Sequence, residues 1–133
     1  MKTRMNKDSK NRIAHNIAPL SYTVDASGKT LGRVATDAAM ALLGKKSAEY
    51  VPNKVLPVEV TITNASKMKL TEKRVAQKTY VHYTGYPGGL RETSMPMLIE
   101  KKGLSEVIRK AVDGMIPRNK LRKERMKRLT ITD

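Results

Sequence analysis

Polar and apolar residues alternate along Val58-Glu59-Val60-Thr61-Ile62-Thr63, which predicts a β-strand with one buried face. A second short strand is predicted at Tyr22-Thr23-Val24-Asp25-Ala26, a β-prone run ended by Ser27-Gly28. Between them, Leu31, Val34, Ala35, Ala38 and Leu42 recur at helical spacing, with Thr30 placed as N-cap and Gly44 just past the end. The clearest helical stripe is Leu104, Val107, Ile108, Ala111, Val112 and Met115, stopped by Pro117. Residues 78–84 read as a further strand, 69–73 as a turn-like basic stretch and Pro87-Gly88-Gly89 as a loop. Leu129 and Ile131 fit a short closing edge strand. Strand, helix, strand, then another strand and more helices predict an α/β domain with a right-handed crossover.

Composition narrows the class. A chain of 133 residues is one domain by size and buries roughly two thirds of its unfolded surface. Phe and Trp are absent, so the core must come from Leu, Ile, Val, Met and Ala. The absence of cysteine excludes disulfides, thiolate catalysis and Cys-based zinc sites, and fits a reducing compartment. No apolar run approaches the length of a membrane span. The start of the chain is basic (Lys2, Arg4, Lys7, Lys10, Arg12) but lacks the apolar stretch of a secretory signal, and Asp8 counts against a mitochondrial presequence. Residues 1–19 therefore read as a basic N-terminal arm, and 20–133 as a single domain.

Charge changes the picture most. The 27 Lys and Arg face 12 Asp and Glu, for a net charge of +15. Within residues 118–128, seven of eleven positions are basic (Arg118, Lys120, Arg122, Lys123, Arg125, Lys127, Arg128) and only Glu124 opposes them. Such a run repels itself until a polyanion or counterion cloud neutralises it, and a nucleic-acid backbone is the commonest such partner. Solubility alone does not demand so one-sided a balance. Smaller basic clusters lie at Lys45, Lys46 and Lys54 and at Lys73, Arg74 and Lys78. Taken singly, each is equally well a solvated face.

Two motifs carry candidate chemistry. Ser27-Gly28-Lys29-Thr30, between a strand and a helix, suggests a nucleotide-binding P-loop, but the first glycine of that pattern falls on Thr23. What remains is a helix N-terminus flanked by Lys29 and Arg33, able to accept one backbone phosphate. The second motif is His82-Tyr83-Thr84-Gly85-Tyr86-Pro87-Gly88-Gly89. Aromatic rings beside bare glycine backbone can stack on unpaired bases and admit a sugar-phosphate, although Tyr80, just upstream, reads as core. No nucleophile elbow, paired carboxylates or metal-ligand spacing accompanies the two histidines, so no catalysis, metal or cofactor is expected.

Several of these segments together resemble one family. Tyr22-Thr-Val-Asp-Ala-Ser-Gly-Lys-Thr-Leu-Gly-Arg33 resembles the opening of the universal large-subunit ribosomal protein thirteen family, bacterial type. So do Gly44-Lys45, Ala48-Glu49-Tyr50-Val51-Pro52, Asn64-Ala65, the His82–Gly89 motif and Gly114-Met-Ile-Pro117, in the family's order from about residue 20 to 131. The resemblance implies a three-layer α/β/α domain with a central, mainly parallel four-stranded sheet, extended by the basic arm and a basic C-terminal helical segment. It implies a cytoplasmic, ribosome-bound structural protein without enzymatic activity. Its expected partners are large-subunit (23S-type) rRNA, met early in assembly, and neighbouring ribosomal proteins. No small-molecule substrate or membrane is implied. Carried over by motif, contacts fall on Lys29, Arg33, Lys45, Lys46, His82, Thr84, the Gly85–Gly89 loop and the basic run after Pro117. The sequence departs from the family pattern at Ser21, where an aromatic is usual, at Lys54-Val-Leu-Pro57 and at Arg118-Asn-Lys-Leu-Arg122. It reaches Asp133 without the tail many members carry, so contacts of such a tail are not transferred. A nucleotide-dependent enzyme using Lys29 and Thr30, or a general DNA-binding protein, are the alternatives left at this point.

Overall fold

The computed structural model describes residues 19–133, so the basic arm lies outside the described residues except for Pro19. Strand β1 (Leu20–Asp25) leads through a turn into helix α1 (Leu31–Leu43), and the chain returns in strand β2 (Val58–Thr63). These two strands are parallel and in register, Tyr22 opposite Val60 and Val24 opposite Ile62. Strand β5 (Leu129–Ile131) joins the far side of β2, also parallel, with Val60 opposite Leu129. The sheet order is β1-β2-β5, so the strand with the strictest alternation is the central one.

That alternation is the reason for the layering. Val58, Val60 and Ile62 are essentially inaccessible, and they face α1, whose buried stripe includes Leu31, Val34, Ala35, Ala38 and Leu42. Burying each Val, Leu or Ile of this set stabilises by about 1.5–3 kcal/mol, and each Ala by less. Helix α1 ends where expected: Gly44 takes a left-handed φ of 81° and its N–H bonds back to the Ala41 carbonyl. Thr30 occupies the N-cap position with extended backbone, but its side chain makes no capping bond.

Between β2 and β5 the chain forms a 3₁₀ turn, helix α2 (Glu72–Gln77), strands β3 (Thr79–Tyr83) and β4 (Leu90–Ser94), and helices α3 (Met95–Lys102), α4 (Leu104–Met115) and α5 (Arg122–Met126). Helix α4 packs along α1, and α3 packs on both α4 and α2.

Two expectations are corrected. The parallel sheet has three strands, not four: β3 pairs antiparallel with β4 as a separate hairpin. The short glycine-rich loop delivers β4 directly to the edge of β3, leaving the hairpin as its own sheet. The three-layer sandwich is also not what the described residues form, because the face of the sheet away from α1 carries Ser21, Thr23, Asp25, Glu59 and Thr130, all exposed. The stretch read as a turn at 69–73 runs into α2, so Lys73 and Arg74 lie on a helix.

The ends of β1 and β2 are clamped by one carboxylate. Asp25 accepts bonds from the Ser27 N–H and the Asn64 side-chain amide, each at 3.0 Å. These two donors, the backbone N–H first, hold the Asp25 carboxyl below the usual carboxylate range. Asn64 is the one non-glycine residue with positive φ among those described, turning the chain out of β2.

Candidate nucleic-acid interface

The flank formed by α2, the hairpin and the C-terminal end of α4 gathers cations from segments far apart in sequence. The hairpin is fastened to it where the Met95 N–H donates to the Lys78 carbonyl at 2.9 Å. The N-terminal turns of α1 lie beside the end of α4, with the Thr36 hydroxyl 3.5 Å from the Met115 sulfur.

Three adjoining clefts run along this flank. The largest, a groove of about 670 Å³, has Arg74, Lys78, Lys110, Arg118 and Arg122 on its rim. A shallow cleft of about 410 Å³ on α2 adds Lys73 and shares Arg74 and Lys78. A third, of about 200 Å³, adds His82, Lys101 and Lys102 and shares Tyr80 and Lys110. Neighbouring clefts share wall residues, so they adjoin and together make up one cation-lined furrow. The single carboxylate on its walls, Asp113, is already paired with Arg122 at 3.2 Å. Tyr80 sits at the junction, half-buried as the sequence suggested, with the Lys78 and Lys110 ammonium groups 5.4 and 5.7 Å from its ring centre. Burial raises its phenol pKa.

The other sequence-identified residues fall into different settings. Lys29 and Arg33 flank the start of α1; Lys29 is 3.8 Å from Asp37, an exposed pair that holds it only weakly. Thr23, where a P-loop needs glycine, is paired inside the sheet, so no phosphate cradle forms. Lys45, Lys46 and Lys54 are exposed beyond the other end of α1, Lys46 lying 5.4 Å over the Tyr22 ring. In the hairpin loop, Thr84, Gly85, Tyr86 and Gly88 are exposed, and Tyr83 and Tyr86 have 58% and 76% of their surfaces free. Gly85 and Gly88 have positive φ, so the turn itself requires them. Gly89 closes the turn by accepting from Thr84 and donating to Tyr86.

The basic run 118–128 divides. Arg118, Lys120, Lys123 and Lys127 are exposed. Arg125 is 2% exposed, its guanidinium donating to the Pro52 and Lys54 carbonyls at 3.4 and 3.3 Å. Arg128 donates to the Leu56 carbonyl at 2.6 Å. Arg125 thus serves the fold rather than the surface, and it ties the basic run to the loop before β2. Sequence reasoning also missed Lys101, Lys102 and Lys110, which join the furrow from α3 and α4. The available signal was Ser94 ahead of Pro96, the pattern of a helix start.

Fold and flank define a small α/β protein with a cation-lined furrow and, among its described residues, no cluster of metal-binding side chains. Comparison with known proteins gives its family. The model of the family described as Ribosomal protein L13 matches residues 20–132, and the chain belongs to that family. It is 46% identical over 110 residues to the large ribosomal subunit protein uL13 of Geobacter sulfurreducens, covering 83% of this chain and 76% of that one. The same identity and coverage relate it to uL13 of Clostridioides difficile. With uL13 of Moorella thermoacetica, identity is 41% over 117 residues, 88% of this chain and 81% of the other. The resemblance read from the motifs is thereby borne out, and the chain is a structural ribosomal protein, not an enzyme.

Proposed function

We propose that residues 20–133 act as one domain that builds into the large ribosomal subunit of the cytoplasm. There it binds large-subunit rRNA early in assembly and meets neighbouring ribosomal proteins. The observation that carries this reading is the cation-lined furrow, supported by the family membership. Lys73, Arg74, Lys78 and Arg118 neutralise phosphates there, joined by Lys101, Lys102 and Lys110, and His82 contacts the RNA beside them. Arg122 contributes while paired to Asp113. Lys29 and Arg33 act at the start of α1, and Lys45, Lys46 and Lys54 beyond its end. Tyr83, Thr84, Gly85, Tyr86, Gly88 and Gly89 meet RNA from the hairpin loop. Lys120, Lys123, Lys127 and Arg128 extend the contact, whereas Arg125 is left out of it. RNA is selected mainly by its folded shape, since the deep A-form groove hides base edges.

Co-sedimentation of the protein with large subunits after a high-salt wash tests the reading, and loss into the soluble fraction counts against it. If on the order of 6–10 phosphates are neutralised, affinity for an rRNA transcript falls by several decades between low and moderate salt. Equal affinity for duplex DNA at matched salt would favour a general DNA-binding protein instead.

A further inference from the structure

The large groove has features that phosphate neutralisation leaves unexplained. Two of its lining residues are glycines at helix ends, Gly32 in the first turn of α1 and Gly114 in the last turn of α4. Neither has a positive φ, and a Cβ built on either would meet nothing within 4 Å. Here the contrast with the hairpin loop matters, because the backbone requires Gly85 and Gly88 there. At Gly32 and Gly114 neither backbone conformation nor crowding within the protein calls for glycine. Both bare positions open on the same space.

The groove is also apolar inside. Leu31 and Met95 are buried beneath it, the Tyr80 ring forms one side, and the 44%-exposed Met115 faces in with its sulfur near Thr36. A phosphate alone has no use for that floor, and an apolar side chain has no use for the cations on the rim. A ligand with a flat, weakly polar ring and an attached anionic group suits both.

We infer that the groove receives one unstacked nucleotide of the bound RNA. Its base lies on the apolar floor between Gly32 and Gly114, and its phosphates meet Lys78, Lys110 and Arg118. This rests on the RNA-binding reading above and adds a discrete single-nucleotide pocket to it. Splayed bases received on aromatic and apolar surfaces are the usual way a protein reads single-stranded RNA.

The test uses the full chain bound to a large-subunit rRNA transcript. Ultraviolet cross-linking couples through bases rather than phosphates, so mass spectrometry of the wild-type complex is expected to find a nucleotide adduct on Tyr80 or Met115. Gly114→Leu, which fills the groove without a clash in the protein itself, is expected to leave Tm within about 3 °C of the wild type. The same variant should weaken rRNA binding by about 5- to 100-fold, the effect of losing one stacked base. Its salt dependence should match the wild type, because no cation is removed. Unaltered affinity of Gly114→Leu, or adducts confined to residues outside the groove, overturns the pocket while leaving RNA binding in place. Failure of the wild-type chain to bind the transcript at all overturns both.

Discussion

Strands β2 and β3 are of similar length and both built from β-prone residues, yet they have opposite fates. In β2, alternate residues are sealed beneath α1. In β3, Val81 and Tyr83 remain 59% and 58% exposed, and only Tyr80 turns toward the helices. Leu90, opposite Tyr83, is equally open at 58%. Both read as strands from their residues; what decides their burial is whether a helix stripe is available to cover them. Helix α1 supplies one to β2, whereas the α3 and α4 surfaces near β3 carry Lys101, Lys102 and Lys110. One strand therefore holds the fold together, and the other leaves apolar and aromatic groups open on the surface.

Substitutions can break that comparison. Ile62→Ala, in the sealed strand, should cost about 2–5 kcal/mol in a urea melt, because a cavity is left where nothing can collapse. Arg125→Ala should cost about 1–3 kcal/mol by leaving the Pro52 and Lys54 carbonyls without their donor. Arg118→Ala, the same charge change at an exposed site, should leave stability within about 0.5 kcal/mol and lower the salt slope of rRNA binding by somewhat under one unit. If these two arginines behave alike, the division of the basic run is wrong. Asn64→Ala should cost about 1–2 kcal/mol, since it removes the bond to Asp25 and places alanine at positive φ. Asp25 has a lowered folded-state pKa, so its contribution is present above the ordinary carboxylate range and is lost as pH falls through the folded value. The gap between acid melts of wild type and Asn64→Ala should therefore narrow at low pH, leaving only the pH-independent backbone strain. Smallest of all, Tyr83→Ala should shift stability by no more than about 0.5 kcal/mol while reducing rRNA affinity.

What could be read in advance follows the same line. Residues 31–42 and 58–63 announced themselves because hydrophobic periodicity is a record of burial, and these are the elements most buried against each other. Helix α3 left a weak trace, since it buries only Met95 and Leu98. Strand β4, Leu-Arg-Glu-Thr-Ser, has no alternation to read, and without it the pairing of β3 could not be assigned. The cationic furrow was half legible. Lys73, Arg74, Lys78 and Arg118 stood out as clusters, while Lys110 looks like any solvated helix position until α4 is laid beside the hairpin. Arg125 is indistinguishable in sequence from its neighbours, because only the carbonyls of a distant loop set it apart.

The position of β5 has a kinetic consequence. Its pairing with β2 closes a loop containing the hairpin and four helices, and contacts so distant along the chain form slowly. Completing it draws the run 118–128 down against the loop that carries Lys54, cation toward cation. Self-repulsion thus falls on the closing of this loop, where added counterions relieve it. Refolding of the free chain should accelerate as ionic strength rises, over the same range in which affinity for RNA declines, and a stopped-flow rate that stays flat with salt would remove this coupling. Polyanion and protein would then be linked before they form a stable complex: the partner whose charge the surface matches also hastens the closing of the sheet.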